Sequence, residues 1–187
     1  MSARLLLILE DPTYDRYIVK PLIEKLLDQM GRRTARVDVL MDPKLGGVEQ
    51  VFDGRTWKAL LTKYPMIDAF VVAVDRDCEA SRDARLQRIA KRISKVGKCF
   101  AGVLAIEEVE VWLLAGFKRD LGASWTEVRK ECHPKERFFD PFLAAKNVGG
   151  VGGGRLAMMQ ETLKNLRGLL RSCPEIADLQ VQLNETP

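Results

Sequence analysis

Two short runs of consecutive apolar residues constrain the fold of this chain more than any other feature. Residues 5–9 and 69–74 are apolar without interruption, and each run ends directly in an acidic residue, Glu10 and Asp75. Uninterrupted runs of this length are typical of strands buried on both faces, as in a parallel sheet covered by helices. Both runs are therefore predicted to be buried strands of an α/β fold.

The segments around these runs alternate between helix and strand patterns. Further strands are predicted over residues 35–40 and 100–106. Apolar residues at helical spacing predict helices over residues 14–30, 48–64 and 80–96. No hairpin signal separates the strands, so helical crossovers between parallel strands are expected.

The pattern changes after about residue 116, where only short helices are predicted. These cover residues 124–132, 141–146 and 156–170, the last after a glycine-rich segment. We therefore predict an α/β core over residues 1–116 and a helical extension over residues 117–187. The extension is expected to pack on the core as a single structural unit.

Composition excludes several classes of protein. With 187 residues and 47% apolar residues, the chain can form one ordinary globular core, and its net charge of +4 permits contact with a polyanion without requiring it. No secretory signal or membrane span is recognised, so a cytoplasmic protein without a membrane partner is expected. The four cysteines, at positions 78, 99, 132 and 173, form no metal-binding or redox spacing, and free buried thiols are expected.

Acidic residues follow three of the four predicted strands, where parallel strands present their carboxyl ends. They are Glu10 after the first strand, Asp75, Asp77 and Glu79 after the third, and Glu107, Glu108 and Glu110 after the fourth. Ligands bind at this edge of open parallel sheets, and carboxylates brought together there would repel unless a cation neutralises them. The oxygen donors and the shortage of histidine predict Mg²⁺ or Mn²⁺ rather than zinc. Helix capping and first-turn acids facing a helix dipole are the alternative explanation for each acid taken alone.

The same residues carry a resemblance to a known family. Glu10 after an apolar strand, followed later by Asp75-Arg76-Asp77, resembles the TOPRIM pattern of a lone Glu and an Asp-x-Asp. Residues 9–15, 75–77 and 107–114, together with Gly154-Arg155, resemble a TOPRIM-like domain family of unknown function that is related to the TOPRIM domains of OLD-type nucleases. One difference is that Asp11-Pro12 stands where TOPRIM proteins usually have Gly.

This resemblance implies a Rossmann-like TOPRIM fold and Mg²⁺-dependent cleavage of nucleic acid. It implies that Glu10 ligates metal or acts as general acid or base, that Asp75 and Asp77 hold the metal, and that Glu110 completes the acidic cluster. Glu79 is included in the predicted metal set. The resemblance also implies an ABC- or AAA-type ATPase partner and a role in defence against phage. Homo-oligomerisation is a further expectation.

Basic residues near these acids are candidates for phosphate contact. Arg82 and Arg85 begin a basic stripe on the helix after the Asp-x-Asp, and Arg155 follows the glycine-rich segment, where backbone amides can cradle phosphate. With Arg76, they form the predicted nucleic-acid-binding set. A solvated helix face and a mobile glycine loop are the alternatives.

Three other functions are compatible with parts of the pattern. A receiver-like phospho-acceptor domain would use Asp75, but the fourth predicted strand ends in Ala105-Ile106-Glu107 without the required Ser or Thr. A haloacid-dehalogenase-type phosphatase would begin its fold with the Asp-x-Asp strand, which is not the order here. A non-enzymatic partner subunit of an ATPase remains the third alternative.

Overall fold

The computed structural model describes residues 2–186 and contains a four-stranded, fully parallel sheet. Its strands are β1 (Arg4–Leu9), β2 (Arg36–Val39), β3 (Ala69–Asp75) and β4 (Cys99–Ala105). They lie in the order β2-β1-β3-β4, and the register pairs Leu7 with both Val39 and Val71. The predicted α/β class, with a parallel Rossmann-like sheet flanked by helices, is confirmed.

Helices connect the strands in the order that the sequence pattern predicts. They are α1 (Arg16–Gln29), α2 (Val48–Phe52), α3 (Gly54–Lys63) and α4 (Ser81–Ser94). The single helix predicted over residues 48–64 is divided in the structure because Asp53 begins a new one. Its side chain accepts a hydrogen bond from the N–H of Thr56 at 3.2 Å, as an N-cap residue does.

Alternate residues of the central strands pack into two separate cores. Leu5, Leu7 and Leu9 lie in the larger core with α1 and the C-terminal helices, whereas Leu6 and Ile8 lie in the smaller core with α2, α3 and α4. Successive side chains of a strand point to opposite faces of the sheet, so an unbroken apolar run supplies apolar side chains to both cores.

The chain after β4 is helical, as predicted, and covers one face of the sheet. It contains α5 (Glu110–Leu114), a 3₁₀ turn (Ala115–Phe117), α6 (Trp125–Lys130), a π-helical turn (Lys135–Phe139), α7 (Asp140–Lys146), α8 (Arg155–Leu163), α9 (Leu166–Ser172) and α10 (Pro174–Asn184). The helix α10 lies along β4, where the Gln182 amide donates to the Gly102 carbonyl at 3.0 Å and accepts from the Gly102 N–H at 2.8 Å. These bonds satisfy backbone groups of an edge strand. No helix within residues 2–186 is long and apolar enough to cross a membrane.

Two of the four cysteines are not free, so the prediction of four free thiols is wrong. Cys78 and Cys132 form a disulfide with their Cα atoms 5.5 Å apart, whereas Cys99 and Cys173 are free. The two partners are 54 residues apart in sequence, and only the fold brings the loop after β3 against the segment after α6. Sequence spacing gave no sign of this pairing.

Removing this disulfide is expected to destabilise the protein substantially. A cross-link over so long a loop restricts the unfolded chain, so Cys132→Ser should lower the free energy of unfolding by about 2–4 kcal/mol in urea denaturation. Cys99→Ser, at a free and partly exposed cysteine, is the matched control and should change little. Four reactive thiols in the denatured, unreduced protein, instead of two, would contradict the pairing.

Candidate metal centre at the carboxyl edge of the sheet

The strand order creates a topological switch point between β1 and β3. The chain passes from β1 to β2 on one side, and β3 is added on the other side of β1. Glu10 directly follows β1 and Asp75 is the last residue of β3, so both lie at the carboxyl edge beside this switch point. This crevice is where open α/β sheets bind their ligands.

Glu10 carries an unsatisfied buried oxygen. Its Oε2 atom is buried and has no hydrogen-bond partner among the described residues, and Arg82 Nη1 lies 3.6 Å away. Burial raises the pKa of the Glu10 carboxyl above its usual value, although the Arg82 charge opposes the shift. A buried carboxylate oxygen that accepts no hydrogen bond is costly, and a bound cation would satisfy it more fully than the 3.6 Å contact with Arg82 does.

The Asp75 carboxylate is fixed by one hydrogen bond and lies near other negative charges. Its Oδ1 atom accepts a hydrogen bond from the N–H of Val109 at 2.9 Å. Burial, followed by the charges of Asp15 and Glu110, raises the pKa of Asp75 well above its ordinary range. The ionised form of this side chain therefore needs a positive charge nearby.

Asp15 belongs to the same cluster, although the sequence assigned it no role. Burial and the neighbouring charge of Glu110 raise the pKa of Asp15 to about 7. Its position just before α1 looks like that of an ordinary helix N-cap, yet its side chain makes no capping hydrogen bond. The only signal in the sequence was its place within the motif at residues 9–15.

Glu110 is 3% exposed and is neutralised by a cation from the C-terminal extension. Arg155 Nη2 donates to Glu110 Oε1 at 2.9 Å, and Lys135 Nζ lies 4.0 Å from the same oxygen. The Arg155 guanidinium also stacks over the rings of Tyr14 and Phe139, 4.9 and 4.7 Å from their centroids. Arg155 therefore stabilises the acidic cluster from within, and its own exposure is 6%.

Arg82 is the counter-charge for Asp77 and Glu79, as Arg155 is for Glu110. Its Nη1 atom lies 2.7 Å from Asp77 Oδ2 and donates to the Asp75 carbonyl at 2.6 Å, and its Nε atom lies 3.3 Å from Glu79 Oε2. The carboxylates of Asp77 and Glu79 therefore contact the Arg82 guanidinium and are not directed towards the Glu10 carboxylate. The side chain of Arg82 is 8% exposed, so it is an internal counter-charge to the acids.

Glu107 fixes the loop that carries Asp77. The Glu107 carbonyl accepts from the backbone N–H groups of Arg76 and Asp77 at 2.8 and 3.2 Å, and its carboxylate accepts from the N–H of Cys78 at 2.6 Å. Arg76 Nε donates to the same carboxylate at 2.9 Å. Asp77 and Cys78 have φ values of 48° and 53°, a region that non-glycine residues rarely adopt. Such conformations persist where the surroundings enforce them, which is common at functional sites.

All four arginines predicted to bind nucleic acid are engaged by carboxylates of this chain. Arg76 pairs with Glu107, Arg82 with Asp77, Arg85 with Glu49 and Arg155 with Glu110. Two lysines border the acids more openly. Lys44 Nζ donates to Thr13 Oγ1 at 3.0 Å, and the side chain of Lys135 is 41% exposed.

No protein-family model, curated protein or solved structure matches this chain significantly. An α/β fold of this kind supports many chemistries, so function has to be inferred from the geometry of the site.

The donor set fits a hard divalent cation, although the acids are not gathered around one point. Within residues 2–186, the one group of three ligand-bearing side chains with atoms mutually within 4.8 Å is Glu108, His133 and Glu136. Glu10, Asp75 and Asp77 do not form such a group, and Asp77 Oδ2 lies 2.7 Å from Arg82 Nη1 instead. Their donors are nevertheless all oxygen, and the orphaned Oε2 of Glu10 lies among them.

Stability is expected to fall as the pH rises through the neutral range. The pKa of Asp15 is about 7 in the folded protein and near 3.9 in the unfolded protein. Between these two pH values the folded state therefore binds more protons than the unfolded state does. The stabilisation is complete below about pH 4 and is lost as the pH approaches 7. Urea unfolding midpoints between pH 5 and pH 8 measure this slope. Asp15→Asn should make it shallower, and an unchanged slope in that variant would contradict the assignment.

Proposed function

We propose that this chain is a divalent-metal-dependent nuclease that hydrolyses phosphodiester bonds at the carboxyl edge of its sheet. The observation that carries the proposal is the buried Oε2 of Glu10 at the switch point, which accepts no hydrogen bond and has only a 3.6 Å contact with Arg82, beside an Asp75 whose charge is opposed by neighbouring carboxyls. A cation that prefers oxygen donors would ligate Glu10 Oε2 and neutralise the charge of Asp75.

Glu10, Asp75 and Asp77 would hold Mg²⁺ or Mn²⁺, with Glu79 and Glu110 in the surrounding acidic shell. When bound, such an ion supplies positive charge that stabilises the developing negative charge on phosphate and leaving oxygen. Asp77 and Glu79 would reach the ion by exchanging their contact with Arg82 for one with the metal. Arg155 would hold Glu110 in place.

The side chains of the chain supply the proton transfers. The Glu10 carboxylate oxygen that does not ligate the ion would accept a proton from water as the water oxygen attacks phosphorus and the opposite P–O bond breaks. Asp15, with a pKa of about 7, exists in both protonation states at neutral pH and can hold the proton that the leaving oxygen takes up. Lys44 and Lys135, at the border of the acids, would orient the phosphate.

The TOPRIM-like resemblance of residues 9–15, 75–77 and 107–114 supports the same chemistry and extends it. On that basis we propose a cytoplasmic protein that acts with an ABC- or AAA-type ATPase in defence against phage, although a disulfide such as Cys78–Cys132 is rare in that compartment. A homo-oligomer is compatible with this role.

The test combines cleavage with direct metal binding. The protein is incubated with single- and double-stranded DNA and RNA in Mg²⁺, in Mn²⁺ and in EDTA, and Mn²⁺ binding is followed by electron paramagnetic resonance. Wild type should cleave only with metal, and Glu10→Gln should lose both cleavage and most Mn²⁺ affinity. Glu24→Gln, an exposed acid on α1, is the control and should behave as wild type.

Two results would overturn the proposal. One is Mn²⁺ binding and cleavage that are unaffected by Glu10→Gln. The other is a labile acyl phosphate on Asp75 after treatment with a small phosphodonor, which would favour a receiver-like function instead.

A further inference from the structure

A second set of potential ligands lies beside the acidic edge and contains the only histidine of the chain. Glu108 follows β4, while His133 and Glu136 lie on the segment that leads into α7. One ligand atom from each side chain lies within 4.8 Å of the other two. The sequence placed Glu108 in the acidic set and His133 outside it, and the fold brings them together.

The two carboxylates of this group lack a cationic partner. In the described part of the chain, no Lys or Arg side chain pairs with Glu108 or Glu136. The basic side chains nearest in sequence are engaged elsewhere, since Lys135 Nζ faces Glu110 and Arg137 pairs with Glu131. The Lys135 charge reaches Glu108 only from beyond ion-pair distance, and two neighbouring carboxylates without a close counter-charge favour the binding of a cation.

Glu108 is also buried and oriented towards this point. It is 8% exposed, and its Oε2 atom accepts a hydrogen bond from the Lys135 N–H at 2.7 Å. Its Oε1 atom accepts no hydrogen bond from residues 2–186, which leaves it free to ligate. A backbone bond to one oxygen that orients the other is the usual support for a ligating carboxylate.

The segment that bears His133 is held against this position from both sides. Cys132 is bonded to Cys78 in the loop after β3, and the His133 carbonyl accepts the N–H of Arg137 at 3.1 Å. His133 lies just before the helical turn that carries Glu136, and the fold brings the two side chains together.

We propose that Glu108, His133 and Glu136 form a second cation site, selective for a transition-metal ion of the Zn²⁺ type. One imidazole nitrogen and two carboxylate oxygens, with an open fourth position, suit Zn²⁺, whereas Mg²⁺ and Ca²⁺ prefer oxygen donors alone. The site differs in donor chemistry from the proposed Mg²⁺ centre at Glu10 and Asp75, and it does not depend on nuclease activity.

The single histidine makes this proposal directly measurable. Zn²⁺ is added to the disulfide-bonded Cys99→Ser protein in a large excess of Mg²⁺, which occupies sites built of oxygen alone, and the His133 imidazole is observed by long-range ¹H–¹⁵N correlation. The imidazole signals should move and saturate at one equivalent of Zn²⁺. Competition with a chromogenic chelator should show weaker binding in His133→Ala and in Glu136→Gln, by at least the about 10–100-fold that loss of a residue supporting a metal ligand costs.

Matched variants separate this site from its neighbours. Glu161→Gln, an exposed acid on α8 that is paired with Lys164, should bind Zn²⁺ as wild type does. Asp75→Asn should also retain full Zn²⁺ affinity, whatever becomes of its cleavage activity. Unmoved His133 signals at equimolar Zn²⁺, equal affinity in His133→Ala, or loss of Zn²⁺ binding in Asp75→Asn would each overturn the proposal.

Discussion

Replacing Asp75 by Asn is expected to abolish metal-dependent cleavage and, at the same time, to make the metal-free protein more stable at neutral pH. Loss of cleavage by about 10²–10³-fold or more follows from removing the charge that holds the metal beside the reacting phosphate. The amide keeps the size of the side chain, and the N–H of Val109 can still donate to its oxygen. The variant should therefore fold normally.

The gain in stability follows from the raised pKa of Asp75. Burial and the charges of Asp15 and Glu110 oppose its ionised form in the folded protein. The stability contributed by this group is complete below its unfolded pKa and is lost as the pH rises through the higher folded pKa. An amide does not ionise, so Asp75→Asn escapes this loss at neutral and alkaline pH.

Thermal unfolding with and without Mg²⁺ measures both effects together. Wild type should gain a higher midpoint when Mg²⁺ is added, because a ligand that binds the folded state stabilises it. In EDTA the unfolding midpoint of Asp75→Asn should be higher than that of wild type, and added Mg²⁺ should raise it only a little. Asp83→Asn, an exposed acid on α4, should follow wild type in every measurement. Cleavage at the wild-type rate in Asp75→Asn would refute the metal centre.

The sheet was predictable because its signal is local. The apolar runs of β1 and β3 specify buried strands by themselves, and the intervening helical patterns leave a parallel arrangement as the consistent solution. Helix boundaries depended on finer chemistry. Asp53 and Asn165 each cap a new helix with a side-chain hydrogen bond inside what looked like one longer helix.

The site was predictable only in part. The positions of its acidic residues follow from the local sequence pattern, whereas the positions of its basic residues depend on tertiary packing. Glu10 and Asp75 follow from strand ends. By contrast, the partners of Arg82 and Arg155 depend on how helices pack, and both residues turned out to be counter-charges within the acidic cluster. The pairing of Cys78 with Cys132 and the meeting of His133 with Glu108 likewise arise from tertiary contacts.

The largest loss of stability is expected from Arg155→Met. The methionine can keep the apolar contact with Tyr14 and Phe139, but Glu110 loses the guanidinium that neutralises it beside Asp15. Removing one partner of a buried ion pair leaves an uncompensated buried charge, which costs about 3–5 kcal/mol. Denaturation at neutral pH should show a loss of this size.

A double-mutant cycle identifies the cause of that loss. If it comes from the stranded charge of Glu110, Arg155→Met combined with Glu110→Gln should recover most of the stability, because the pair is then replaced by uncharged groups. The defect of Arg155→Met alone should also shrink as the pH is lowered and the clustered carboxyls become protonated. Simple addition of the two single effects would mean that Arg155 acts through packing on its aromatic neighbours, and that the acidic edge is neutralised by some other group.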